Sequence, residues 1–497
     1  MALDPRTPVL VGAGQTPRDT SGALLSPLDL LAQAARAAGD DSGTGDRLLR
    51  EAGSIQVVDS LGWRAIDPAA LLATELGASP KETVKSTVGG NSPQMLVNQA
   101  ALAIQRGDVD VVLIAGVEAM YSRQRARKES RETGWPRDDG APPPTRMLGD
   151  NRAGTNDLEL SRGLVMPTQV YPILECALRS ARGEGVAEHT ARIAELWSRF
   201  SHVAATNPHA WTPEPRTAEE IATPTPDNRM IGFPYPKLMN ANMQVDQAAA
   251  LLLCSADAAR AAGVGDDMWV FPWAGADAAD HWFVSERESL ASSPAIAACG
   301  RVVFELTGTT VDDIRWIDLY SCFPAAVQLG ADALGIDAWD PARAPSLTGG
   351  LTFAGGPGNN YVTHAIAMCM TRLREDPGSL GLVTALGWYA TKHAIGIYAT
   401  TPPRGGAFQW RSVQDEVDAL PRREAVDVTE STTATIEAYT VMHERDGSPA
   451  TGTAALLLED GRRTWATTTD PDVLAAMVTD DLCGRRADVA GPTFTLR

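Results

Sequence analysis

Two stretches of the chain carry the same arrangement of apolar and polar positions. Residues 88–116 read VGGNSPQMLVNQAALAIQRGDVDVVLIAG, and residues 354–387 read AGGPGNNYVTHAIAMCMTRLREDPGSLGLVTALG. Each opens on a glycine pair, then has a proline and polar residues suited to a helix start, about four turns of small and apolar residues, a charged turn and an apolar run. This pattern predicts a glycine turn, a buried helix and a buried strand, twice. Upstream of each copy a further helix leads to a strand, PLDLLAQAARAAGDD to SIQVVDS in one half and SPAIAACGRVVFELTG to IRWIDLYS in the other. Strands alternating with helices of this length predict parallel sheets covered by helices on both faces. Ala100, Ala101, Ala103, Ala365 and Ala367 are expected to let the two buried helices approach closely.

The pattern breaks between residues 122 and about 240, where proline, charge and short helical stretches predict an insertion domain. MQVDQAAALLLCSADAARAAGV then resumes the first half with a buried strand. After TTPP at residues 400–403, alternating Thr, Val and Glu with Asp-Gly turns at 446–447 and 460–461 predict a β-meander. The expected domains are 1–121 with 241–270, the insertion 122–240, a second half 271–404, and a β-rich, OB-like domain 405–497. The N-terminal VLVGAGQ is expected to be a first strand ending in a glycine turn, its apolar run being too short for a signal sequence.

At 497 residues the chain has room for about three domains by a prior of roughly 150 residues each. Hydrophobic residues make up 44% and charged residues 21%, and no apolar run reaches the roughly 18 residues of a membrane span, which predicts a folded chain with no span. The net charge of −19 opposes capture by nucleic acid or anionic lipid. Six scattered cysteines, with no C-x-x-C pair, read as reduced, packed thiols, so a cytoplasmic location is expected. No His and carboxylate set stands at metal-ligand spacing, and neither GGPGNN nor GGNSPQ has the spacing of a Walker or dinucleotide loop, so no metal or nucleotide cofactor is expected.

Residues 7–400 resemble the thiolase superfamily, in particular the sterol-carrier-protein-type thiolases. The resemblance rests on DVVLIAGVEAM (110–120), VDQAAALLL (245–253), IDLYSCF (317–323) and GGLTFAGGPG (349–358), in family order on a duplicated chain. The extra C-terminal segment resembles that of thiolase-like proteins of type 1. The resemblance implies a duplicated thiolase fold, two βαβαβαββ halves in five layers, and the chemistry of an acetyl-CoA acetyltransferase. It also implies that the family's catalytic positions are replaced. Gly89 stands where a nucleophilic cysteine is expected at a helix N-terminus, Gly356 where a histidine activates it, and Gly387 where a second cysteine exchanges protons. Tyr320 replaces the residue that holds an oxyanion-hole water. Ordinary thiolysis is not expected from such a set.

Polar residues do remain on the motif loops. Tyr320, His364, His393 and Cys322 are the catalytic candidates, with either histidine as base, Tyr320 as donor and Cys322 as a nucleophile. Each histidine also reads as a structural one, and Cys322 as a packed thiol. Ser321, Asn359 and Asn360 are candidates for contacting CoA, as are Arg123, Arg125, Arg127 and Lys128, a cationic cluster able to pair with a phosphate and equally readable as a solvated loop. Trp197 and Phe200 suit either an adenine stack or a core helix face. The leading expectation is an acyl-CoA-binding, thiolase-like protein, with CoA or acyl-CoA as ligand and no tightly bound cofactor. The alternatives are an acyl-CoA retro-aldolase using Tyr320 and a histidine, and a non-catalytic scaffold whose C-terminal domain takes a protein partner. Monomer and homodimer both stay open.

Overall fold

The computed structural model describes residues 3–19 and 21–497. The first half supplies strands β1 (Pro8–Gln15), β2 (Ser54–Val57), β3 (Glu82–Ser86) and β4 (Val111–Ala119). β5 (Arg146–Leu148), β6 (Met230–Gly232) and β7 (Tyr235–Pro236) follow, before β8 (Asp246–Ser255) resumes the half. The second half supplies β9 (Phe271–Ala279), β10 (Ile314–Asp318), β11 (Leu380–Gly387) and β12 (Lys392–Ala399), followed by β13 (Gln409–Ser412). The last segment contains β14 (Thr432–His443), β15 (Pro449–Leu457), β16 (Arg463–Thr468), β17 (Arg486–Ala490) and β18 (Thr493–Leu496).

The first sheet runs β1-β8-β4-β2-β3-β5 and the second β10-β11-β12-β9-β13. Reading the second in reverse matches β9, β12, β11 and β10 to β1, β8, β4 and β2, so the duplication seen in the sequence is a duplication of sheets. β3 has no partner in that match. The sheets are mixed rather than parallel. β8 runs antiparallel to both β1 and β4, and β12 antiparallel to both β11 and β9. The cause is local in the second half, where only residues 388–391 join β11 to β12, and so short a connection permits only a hairpin.

Helices Ser92–Arg106 and Tyr361–Glu375 lie between the two sheets, and helices Pro27–Asp41 and Pro294–Thr307 cover the outer faces, giving five layers. Strands β4, β8, β11 and β12 are buried along their whole length, which is why they read as continuous apolar runs rather than alternating ones. The layers touch through glycine. A Cβ on Gly275 or Gly396 would sit 2.3 or 2.4 Å from the side chains of Asn98 and Gln94 on helix Ser92–Arg106. Ala100, Ala101, Ala365 and Ala367 are buried as expected, whereas Ala103 is half exposed. At the N-terminus, Gly12 and Gly14 do not form a turn. β1 continues through both, because a Cβ there would meet the carbonyl oxygens of Ala38 and Ala34 at 2.0 and 2.1 Å, and only glycine lets helix Pro27–Asp41 pack so close.

Short strands tie the remaining segments to this body. β5 adds to the first sheet beside β3, β13 adds to the second beside β9, and β6 pairs with β14. The last segment closes on itself, since β14 pairs with β15 and β17, and β16 and β18 complete the ring. Gly447 and Gly461 take positive φ in the two expected Asp-Gly turns. Arg463, fully buried, fastens this ring to the second half. Its guanidinium meets both Glu437 oxygens at 2.6 and 2.7 Å and donates to the Ser285 carbonyl at 2.9 Å.

Candidate functional site

Four loops meet where the two buried helices begin. They are the turn 87–91 before helix Ser92–Arg106, residues 319–323 after β10, residues 349–360 before helix Tyr361–Glu375, and the hairpin 388–391 between β11 and β12. The hairpin is tight enough to place Trp388 and Ala390 at positive φ, 57° and 51°. Tyr171, on helix Pro167–Arg182, holds it from outside. The Tyr171 hydroxyl donates to the Trp388 carbonyl at 3.0 Å and accepts from the Ala390 N–H at 2.9 Å, while the ring stacks on Phe323 at 4.6 Å.

At the centre of these loops the glycines are not empty places. A Cβ on Gly89 would lie 2.4 Å from Asn91 Oδ1 and 2.8 Å from Lys392 Nζ, and one on Gly387 would lie 2.6 Å from the same Asn91 oxygen and 3.1 Å from Lys392 Cε. A Cβ on Gly90 would lie 2.2 Å from the Tyr320 hydroxyl. Lys392 and Tyr320 thus fill the room that side chains at 89, 90 and 387 would occupy. The Lys392 ammonium donates to the carbonyls of Val88 and, at 3.1 Å, Asp150. Burial pushes this amine down to about 8, against the raising influence of the Asp150 carboxylate. Asn91 Oδ1 is buried and has no hydrogen-bond partner.

Tyr320 is the one proposed catalytic residue that reaches this centre. Its phenol is raised well above its ordinary value by burial and by the neighbouring Cys322, so it is a hydrogen-bond donor and not a phenolate. Cys322 is pushed up to about 12 by burial, and a thiol so protonated is a poor nucleophile. His393 points to the other face of its sheet. Its Nε2 lies 3.1 Å from Asp280 Oδ2 and 3.5 Å from Ser293 Oγ, at the start of helix Pro294–Thr307, and it is 2% exposed. His364 sits beside Gln15, its Nδ1 2.8 Å from Gln15 Oε1, in a water-sized space lined also by His209 and Gln247. Burial and then His209 push it down to about 3, too weak a base to take a substrate proton near neutrality. Neither histidine joins Tyr320.

The CoA candidates divide in the same way. Ser321 Oγ lies 3.4 Å from the Tyr361 hydroxyl, both buried. The Asn359 side chain accepts from the Gly89 N–H at 3.0 Å and donates to the Asp59 carbonyl at 2.8 Å, and Asn360 Oδ1 accepts from Thr363 at 2.6 Å. These three amides and hydroxyls brace the loops. Gly356 is held by its N–H to the Asn242 carbonyl at 2.9 Å. Arg123, Arg125, Arg127 and Lys128 form the helix Met120–Lys128, a continuation of β4 and not a loop. Arg125 is turned inward to Glu129 and the Tyr121 ring, while Arg123, Arg127 and Lys128 are exposed, three of the four cations gathering at a C-terminus whose dipole favours them. Trp197 and Phe200 are core residues, stacked at 5.0 Å with Trp197 Nε1 donating to Thr352, and are not open to an adenine.

Sequence reasoning gave no role to two buried carboxylates around these loops. Glu118, at the end of β4, accepts from the Leu61 and Gly62 N–H groups, and burial nevertheless pushes it up to about 7. Asp318, at the end of β10, accepts from Leu347 N–H at 2.8 Å and from the Tyr361 hydroxyl at 3.0 Å, and burial pushes it up to about 6. Glu118 is a lone charge in the apolar run VVLIAGVEA, the sequence signal that could have found it, whereas Asp318 shares its strand IRWID with the exposed Arg315 and gave no such signal. Among the described residues no group of three or more His, Cys, Asp or Glu is placed to hold a metal ion.

The last segment matches, over residues 412–491, the family described as thiolase-like protein type 1 additional C-terminal domain. The crystal structure of a monomeric SCP2-thiolase-like protein type 1 from Mycobacterium smegmatis matches with 34% identity over 100% of both chains and a TM-score of 0.85. The chain belongs to the SCP2-thiolase-like proteins of type 1. The additional C-terminal domain matched at residues 412–491 takes in strands β14 to β17 of the third sheet. Acetyl-CoA acetyltransferases from Methanothermobacter thermautotrophicus and Methanocaldococcus jannaschii are 23% and 24% identical over 53% and 51% of this chain. The match spans about three fifths of the length of those relatives, 61% and 57%. A chain of the Ltp2–ChsH2(DUF35) aldolase matches at 20% identity over 79% of this chain and 98% of its own, with a TM-score of 0.59, a likeness of fold alone. Among the described residues no helix is long and apolar enough to cross a membrane.

Proposed function

We propose that this SCP2-thiolase-like protein binds a CoA thioester at the meeting of the four loops and does not form an acyl-enzyme there. The observation that carries the reading is Lys392, whose side chain stands against Gly89 and Gly387, where the family resemblance calls for two thiols. The centre then offers donors and no thiol: the Lys392 ammonium, the Tyr320 hydroxyl and the N-terminus of helix Ser92–Arg106. Such a set suits an electron-rich oxygen, as on a thioester carbonyl. The acetyl-CoA acetyltransferase relatives support the choice of ligand. Arg123, Arg127 and Lys128 are the exposed cations available to its phosphates. A monomer in the cytoplasm, a reducing compartment that suits six unpaired cysteines, completes the reading.

Native mass spectrometry of the full chain with CoA, acetyl-CoA and a β-hydroxyacyl-CoA tests it. The expected result is stoichiometric, non-covalent binding of the thioesters, with no acyl adduct and no thiolysis in the presence of free CoA. A covalent acyl adduct, or the absence of any thioester binding, overturns it.

A lyase reading has one specific observation in its favour, the lowered Lys392 amine against Gly89 with the Tyr320 hydroxyl against the adjoining Gly90. Neutral Lys392, in place of a histidine, would take the β-hydroxyl proton of a β-hydroxyacyl-CoA. The Cα–Cβ bond would break, its electron pair passing into the thioester as an enolate under the Tyr320 hydroxyl. The β-carbon would leave as an aldehyde or ketone while the α-carbon is reprotonated. Such turnover would rise with pH through about 8, as Lys392 loses its proton, and would vanish in Tyr320→Phe. A thioester returned at unchanged mass across pH 7–9 excludes it.

A further inference from the structure

Helix Pro167–Arg182 runs between the candidate site and the C-terminal domain. Near its start Tyr171 holds the 388–391 hairpin; further along, Cys176 faces the C-terminal domain and stands with its sulfur 3.4 Å from that of Cys483. Cys483 belongs to the connection between helix Pro471–Thr479 and β17, a connection that is itself held in place. The Tyr439 hydroxyl of β14 donates to the Asp480 carbonyl at 2.9 Å and accepts from the Leu482 N–H at 3.3 Å, and the Cys483 N–H donates to Asp481 at 3.1 Å. Both sulfurs are therefore carried on supported backbone from two distant parts of the chain, 307 residues apart.

One cation serves both. Arg179, one turn beyond Cys176, lies 3.8 Å from the Cys176 sulfur and 3.7 Å from the Cys483 sulfur through the same nitrogen, which also meets Asp481 at 2.7 Å. Burial raises the Cys176 thiol, but the hydrogen bond from Cys483 and the Arg179 charge outweigh it and bring the thiol below its ordinary value. Cys483 is shifted the other way, raised by its hydrogen bond to Cys176 and by burial, so Cys176 is the thiolate of the pair. The other four cysteines have no such arrangement. Cys254, Cys299 and Cys369 are buried in the body with their thiols raised, and Cys322 is raised as well. Cys483 is partly exposed, so a small oxidant can reach the pair from solvent.

We propose that Cys176 and Cys483 are a reversible thiol–disulfide pair which, on reaction with a hydroperoxide, ties the C-terminal domain to helix Pro167–Arg182. One sulfur, as thiolate, attacks a peroxide oxygen and breaks the O–O bond, becoming a sulfenic acid as hydroxide leaves and takes up a proton to form water. The second thiol attacks the sulfenic sulfur, the S–S bond forms, and a second water leaves with the remaining proton. Two thiols are oxidised by two electrons and one hydrogen peroxide is reduced to two waters. Closing the sulfurs from 3.4 Å to a bond of about 2.05 Å asks for a movement of about 1.4 Å. The cross-link joins, in one covalent step, the C-terminal domain to the helix that braces the site hairpin.

The test uses the reduced full chain, treated with a small excess of hydrogen peroxide, quenched, alkylated under denaturing conditions and mapped by peptide mass spectrometry. The expected result is a linked pair of peptides containing Cys176 and Cys483, alkylation retained at the other four cysteines, and full return of both thiols with dithiothreitol. Arg179→Gln is expected to slow formation of the link severalfold, and Cys483→Ser or Cys176→Ser to abolish it. The thermal midpoint of the cross-linked protein is expected to rise and to fall again on reduction. Full alkylation of all six cysteines after treatment overturns the proposal, as does a link through any other cysteine or oxidation of Cys483 alone to sulfinic or sulfonic acid.

Discussion

Replacing Lys392 with methionine isolates the charge at the centre of the site, because methionine keeps much of the side chain's length and volume without the ammonium. Burial lowers this amine from 10.5 to about 8 in the folded chain, a difference worth on the order of 3 kcal/mol. Lys392 is 5% exposed, so water screens little of that penalty. The sign follows from proton counts. Below pH 8 the amine is protonated in both folded and unfolded chains, and the fold carries the whole cost of the buried charge. Between 8 and 10.5 the unfolded chain still binds a proton that the folded chain has lost, so stability rises with pH across that window. In Lys392→Met the penalty is absent at every pH, while the Val88 and Asp150 carbonyls lose a donor at about 1 kcal/mol each. At pH 7 the variant should therefore lie within about 2 kcal/mol of the parent. By pH 10 the parent should have gained about 2.5 kcal/mol on it, roughly 2–3 °C in thermal midpoint for a chain this long. Paired thermal melts of the two proteins at pH 7, 8, 9 and 10 measure the difference and cancel titrations common to both. A difference that stays flat, or that moves toward the variant as pH rises, refutes the claim that a desolvated charge sits against Gly89 and Gly387.

Three further outcomes follow from groups away from that centre. Arg463→Met strands the Glu437 carboxylate, and breaking so buried a pair typically costs about 3–5 kcal/mol; limited proteolysis should then cut the C-terminal domain first, and an unchanged digestion pattern counts against its fastening role. Glu118, raised from 4.5 to about 7, keeps its proton in the fold where the unfolded chain has lost it, so stability falls as pH rises through that window. Glu118→Gln should flatten the fall by up to about 3 kcal/mol in melts at pH 5 and 7.5. Burial opposes charge on His189, but Glu175 and Glu184 at 2.6 Å on either side outweigh it and raise its pKa. Its contribution is fully present below the unfolded value of 6.5 and lost as pH rises through the higher folded value, and an imidazole titrating by NMR below 6.5 would contradict this.

The paired body was legible because its signal is long and repeated: two helices of 15 residues, Ser92–Arg106 and Tyr361–Glu375, each between a glycine turn and an apolar strand. Its mixed sheet direction was not, since β4 and β8 are fully buried, and a strand apolar on both faces looks the same in either direction. β5 and β6 have three residues each, too few to show any period, and their places beside β3 and β14 are set by contacts far away in sequence. The Asp-Gly turns of the last domain were legible because each needs a positive φ that glycine supplies.

The site shows where such reading stops. Its four loops announced themselves through glycine and proline, but which side chain enters the centre depended on a parity that composition does not carry. Lys392 and His393 are neighbours on β12, and alternate residues of a strand face opposite ways. Lys392 therefore meets Gly89 while His393, the candidate named for its imidazole, meets Asp280 and Ser293 across the sheet. The glycines carry the complementary lesson. Gly90 looks like a lost side chain until the Tyr320 hydroxyl is found 2.2 Å from where its Cβ would be, and Gly89 and Gly387 look the same until Lys392 is found between them. Each absence is filled by polar side chains, Asn91 and Lys392 at Gly89 and Gly387 and the Tyr320 hydroxyl at Gly90, as a close-packed interior requires. A cysteine returned to Gly89 or Gly90 would therefore enter occupied space at a cost of about 1–3 kcal/mol. Truncating Lys392 or Tyr320 would not by itself reopen room for a thiol, because the Asn91 oxygen stays 2.4 Å from a Cβ on Gly89 and the Leu386 carbonyl oxygen 2.5 Å from one on Gly90, so the site has to be understood as a repacking of its loops and not as a set of deletions.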